Sequence, residues 1–66
     1  MEECFERWHK YPQDLFGIAE FAEVLGLSKR AFDGRLRRGK IIAPSVWLAM
    51  GPVWTRERVR AHLLTL

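Results

Sequence analysis

A chain of 66 residues with a net charge of +3 and 48% apolar residues makes one small domain. A domain of this size buries only about 60% of the surface its unfolded chain exposes, so no deep enzyme cleft fits beside a core, and a binding module is the expectation. The apolar fraction argues against disorder, no run approaches the roughly 18 apolar residues that span a bilayer, and the single Cys4 forms no internal disulfide.

The opening, MEECFERWHK, begins with acids, the opposite of a signal peptide's basic start, so a cytoplasmic setting is expected. Met1, Cys4, Phe5, Trp8 and Tyr11 recur at helical spacing and define an amphipathic helix that Pro12 ends. Two roles fit this stripe: it completes the core, or it meets a second protomer or a partner protein through Phe5, Trp8 and Tyr11. A metal site would need Cys4, His9 and His62 to converge with a fourth ligand at no recognisable spacing, so neither metal nor other cofactor is expected.

After a connector, PQDLFG, the residues Ile18, Phe21, Ala22 and Leu25 predict a second helix, with Gly26 just past its end as a cap. Ser28 is placed to cap a third helix that turns Phe32 and Leu36 inward and stops at Gly39. The period then changes. IIAPSVWLAMGPVWT is β-branched and aromatic, alternates in SVWLA and breaks at MGP, which predicts a hairpin with Trp47 and Trp54 in the core. Thr55 can cap a last helix with a stripe of Val59, His62, Leu63 and Leu66. The predicted order is helix, helix, helix, hairpin, helix: a mainly α fold with a small β-hairpin.

Charge divides unevenly along this order. Residues 1–27 hold two bases and six acids, a net −4, whereas residues 28–66 hold nine bases and two acids, a net +7. Such asymmetry is the footprint of one face meeting a polyanion. Ala22, Gly26 and Phe32 stand at the spacing of a helix-turn-helix unit: a small residue where the helices approach, a glycine in the turn, and an apolar residue that locks the second helix onto the first.

The segment IAEFAEVLGLSKRAFDGRLRRGKIIAP, followed by LAMGPVWTRERVRAHL, resembles the small MerR-like winged helix-turn-helix proteins, which include phage and plasmid excisionases and short transcription regulators. The likeness covers about Phe16 to Leu66. It divides the chain into residues 1–15, an amphipathic helix and connector, and 16–66, a winged helix-turn-helix domain. It implies double-stranded DNA binding, with the third helix in the major groove and the hairpin as a wing over a neighbouring minor groove or phosphate row. The further partners it suggests are a second copy, as a homodimer or a cooperative array on DNA, and an integrase or another protein. Arg35 departs from the pattern: the family often has an apolar residue there, which Leu36 supplies one place later.

At about 100° per residue, with Phe32 and Leu36 inward, Gly34 points outward between Arg30 and Arg38. The candidate DNA-binding residues are Ser28, Lys29, Arg30, Asp33, Gly34, Arg35, Arg37, Arg38 and Lys40. Of these, Lys29, Arg30 and Asp33 suit base edges, since reading helices usually enter the groove with their N-terminal residues, and Arg37, Arg38 and Lys40 suit phosphates. Arg56, Arg58 and Arg60 are candidates to extend the phosphate track. The hairpin tip, Ala49 to Pro52, has no base, so any DNA contact it makes is through backbone or apolar groups. Paired carboxylates, a nucleophile elbow and a phosphate-binding glycine loop are all lacking from the sequence, and no enzymatic activity is expected.

Overall fold

The computed structural model describes residues 2–66, arranged as α1 (Glu2–Lys10), β1 (Leu15–Phe16), α2 (Ile18–Leu25), α3 (Lys29–Arg37), β2 (Val46–Leu48), β3 (Gly51–Thr55) and α4 (Arg56–Leu63). Proline lacks the N–H that would continue a helix, and α1 stops two residues before Pro12. The stripe of α1 turns inward: Trp8 is buried, and Cys4, Phe5 and Tyr11 pack against the core. Met1, the first member of the predicted stripe, lies outside the described residues.

The ends of the last three helices follow from their capping residues. The Ser28 hydroxyl accepts the Ala31 N–H at 3.1 Å, and the Thr55 hydroxyl accepts the Arg58 N–H at 3.2 Å, each satisfying a donor that a helix start leaves free. At the other end, α2 and α3 close alike. Gly26 (φ 73°) and Gly39 (φ 72°) take the left-handed conformation that β-carbons disfavour. The Gly26 N–H then donates to Glu23 and the Leu27 N–H to Ala22, while the Gly39 N–H donates to Leu36 and the Lys40 N–H to Arg35. Both are the paired bonds of a Schellman cap.

The connector after Pro12 is more than a link. Leu15 and Phe16 form β1, antiparallel to β3, with Leu15 opposite Thr55 and Phe16 opposite Trp54. The predicted hairpin is therefore part of a three-stranded antiparallel sheet in the order β1-β3-β2. Two residues are too few to show a period, and burial of Phe16 beside Trp54 supplies the reason for the pairing.

Every helix contributes to one core. Trp54 is fully buried, with the Phe21 and Phe32 ring centroids at 5.1 and 5.6 Å, and Phe21 lies 5.2 Å from Phe32. The indole N–H of Trp54 donates to the Ile42 carbonyl at 2.8 Å, so burying this ring strands no donor. Ala22 is buried between α2 and α3, where its small side chain permits their approach. Val59, His62 and Leu63 close the core from α4, but Leu66 lies beyond the helix and is half exposed. Trp47 also departs from expectation. It pairs with Pro52 across the hairpin yet remains 66% exposed on β2, an outer strand of the sheet.

Arginines fasten α1 and β1 to this body. The Arg7 Nε–H donates to the Val24 carbonyl at 3.0 Å, near the C-terminus of α2, where a cation also meets the negative end of the helix dipole. Arg56 lies 4.1 Å over the Trp8 ring and donates through Nη1 to the carbonyls of Tyr11 and Gln13, while its backbone N–H donates to Asp14 at 2.7 Å. In return the Trp8 indole N–H donates to the Arg56 carbonyl at 3.1 Å. The Tyr11 hydroxyl donates to the Glu23 carboxylate, joining the end of α1 to α2. Stabilising the neutral phenol by this bond, with Glu23 and Glu20 nearby, pushes the Tyr11 pKa up from 10.0 to about 12.

Candidate nucleic-acid interface

α3 presents most of the predicted contacts. Lys29, Arg30, Arg35 and Arg37 project from its nine residues, Arg38 caps its end and Lys40 follows the Gly39 turn, all of them exposed. The charges at its start run against helix stability. α2 and α4 place Glu20 and Glu57 in their first turns, as the positive N-terminal end of the dipole favours, whereas α3 has no acid there and carries Lys29 and Arg30 instead. A misplaced charge of this kind typically costs about 0.3–1 kcal/mol, a local conflict of the sort that marks a surface kept for something other than folding. The late bases Arg35 and Arg37 agree with the dipole.

The fold brings the start of α3 beside two other segments. Ile18 shares a concavity with Lys29, Arg30 and Asp33, and Lys29 also lines a groove of about 240 Å³ between the start of α2 and the hairpin from Met50 to Val53. The three base-edge candidates thus lie together, with the tip adjoining them. Glu20 is the acid in that groove, and its carboxylate accepts the Gly17 N–H at 2.9 Å, which caps α2.

Several candidates already have partners inside the molecule. The Ser28 hydroxyl is occupied as the α3 cap. Asp33 and Arg37, expected to act separately on base and phosphate, face each other at 3.1 Å with Arg37 80% exposed. A surface pair four residues apart is worth only about 0.3–0.5 kcal/mol, so a phosphate or base can replace either partner. Gly34 is half covered: the Arg38 guanidinium lies 3.6 Å from where a β-carbon would be.

Arg56, a candidate to extend the phosphate track, is instead spent on the carbonyls of Tyr11 and Gln13 and on the Trp8 ring. Arg58 is exposed and reaches the Ala43 carbonyl at 3.4 Å, and Arg60 is exposed on α4. The three residues proposed as a partner surface turn toward the protein: Trp8 is buried, Phe5 and Tyr11 are half buried, and Tyr11 is bonded to Glu23. His9 stays at the surface with its ring 4.9 Å from Trp8, and His62 is buried beside Phe21, its pKa lowered by desolvation. Among the described residues no three His, Cys, Asp or Glu side chains gather as a metal site would need, and no helix is long and apolar enough to cross a membrane.

Sequence reasoning missed the roles of Arg7 and Arg56. Their acceptors are backbone carbonyls 17 and more than 40 residues away, which no local spacing signals. Compared with protein-family models, curated proteins and solved structures, the chain matches none.

Proposed function

We propose that this chain is a winged helix-turn-helix protein that binds double-stranded DNA, with α3 in the major groove and the β2–β3 hairpin as its wing. It performs no chemistry of its own. Its role is that of an excisionase-type architectural factor or a short transcription regulator, as the likeness of residues 16–66 to the MerR-like proteins implies. The observation that carries the reading is the placement of Lys29 and Arg30 at the positive start of α3, against its dipole, beside a hairpin tip free of acids. The arrangement costs stability and favours an anion.

In this reading Lys29, Arg30 and Asp33 meet base edges, while Arg35, Arg37, Arg38 and Lys40 hold phosphates. A single reading helix contacts few base pairs, so selective binding uses a second copy or an array on adjacent sites. The test is a fluorescence-anisotropy titration of a labelled duplex across 50 to 200 mM salt. About six phosphate contacts, from Arg35, Arg37, Arg38 and Lys40 together with Arg58 and Arg60, give a log-log slope of about −5, and affinity that does not change over that range would sink the reading.

A further inference from the structure

The hairpin carries a feature that neither the core nor the basic face explains. Ser45 to Met50 are six consecutive exposed residues, SVWLAM, with Trp47 66% and Met50 93% exposed. From Ile41 to Thr55 there is no charged side chain at all. A domain this small has little apolar material to leave in water, and exposed apolar patches mark contact sites.

We propose that Met50 inserts between base pairs of bound DNA and kinks the duplex, an inference that rests on the DNA-binding reading above. The charge around the tip selects this occupant. The tip itself cannot hold phosphates, but Lys29 lines the same groove, with Arg30 next to it, and the one acid in that groove, Glu20, is turned to the Gly17 N–H. An apolar point across a groove from the basic start of α3 fits a partner that is anionic outside and apolar within, as stacked bases behind phosphates are. Methionine is well suited to insertion, being unbranched, polarizable and favourable against aromatic rings, and such apolar wedges open base steps in architectural proteins. Trp47, opposite Pro52 on the same hairpin, adds further exposed apolar surface.

The kink is read by fluorescence resonance energy transfer between the ends of a duplex of about 30 bp, selected from a random pool by the wild-type protein. Met50 is almost wholly exposed, so truncating it leaves no cavity, and circular dichroism checks that Met50→Ala keeps the fold. Wild-type protein should raise the transfer, consistent with a kink of roughly 20–90°, and Met50→Ala should bind within about tenfold of wild type while losing most of that rise. Equal bending by both proteins overturns the proposal, as does wild-type binding that leaves the duplex straight; in both cases DNA binding itself stands. Equal bending with loss of self-association in Met50→Ala, seen by sedimentation, assigns the tip to a second copy instead. If the wild-type protein yields no selected duplex at low salt, the DNA-binding reading fails and this inference falls with it.

Discussion

Arginines in two regions of the molecule have opposite fates. At the seam where α1 and β1 meet α2 and α4, Arg7 and Arg56 donate to the carbonyls of Val24, Tyr11 and Gln13, and Arg56 covers Trp8. On α3, the side chains of Arg30, Arg35 and Arg38 form no hydrogen bond or ion pair among the described residues, and Arg37 has only its exposed pair with Asp33. A charge count treats these groups alike, but their surroundings do not. The seam arginines belong to folding, and the α3 arginines are available for a partner.

That contrast can be broken most sharply by substituting one arginine from each side. Arg56→Ala removes charge-assisted bonds to two carbonyls and the cation over Trp8, and should lower unfolding free energy by about 2–3 kcal/mol in urea titration. In a domain this small that is a large share of the total. Arg30→Ala should leave stability within about 0.5 kcal/mol and weaken duplex binding roughly tenfold. A destabilised Arg30→Ala, or a fully stable Arg56→Ala, would erase the distinction between the regions.

The same distinction explains what was legible in the sequence. Every helix was visible, because stripes such as Ile18, Phe21, Ala22 and Leu25 and caps such as Ser28, Thr55, Gly26 and Gly39 are local signals. The basic run on α3 was visible for the same reason. β1 was not, since its two residues become a strand only by meeting β3 some forty positions later. Trp47 misled because its alternating context describes a half-buried strand equally well whether or not a helix lies over it. For Arg56, nothing nearby distinguishes it from Arg58 or Arg60; its role depends on where the chain around Tyr11 returns.

Gly34 tests the α3 side at smaller amplitude. A glycine inside a helix costs about 1 kcal/mol relative to alanine, and an added methyl here would meet the Arg38 guanidinium at 3.6 Å, an ordinary contact. Gly34→Ala should therefore raise stability by up to about 1 kcal/mol. If the glycine admits the DNA backbone once Arg38 swings away, the same change weakens binding. A variant that is more stable and binds equally well shows that the glycine serves no contact.

The seam has its own, subtler test in alkali. The Tyr11 hydroxyl holds its proton to about pH 12 because it donates to Glu23, whereas in the unfolded chain it ionises near its ordinary 10.0. Between those values the folded state retains a proton that the unfolded state has lost, so the contribution is complete below pH 10 and declines as pH rises through 12. Tyr11→Phe lacks this proton. The stability difference between wild type and Tyr11→Phe, followed by urea unfolding from pH 8 upward, should stay level at first and then shrink above about pH 10. Because other bases titrate equally in both proteins, the difference isolates Tyr11. A gap that stays constant to pH 12 would mean that the bond to Glu23 does not hold α1 to α2, and that the Arg7 and Arg56 contacts fasten the seam without it.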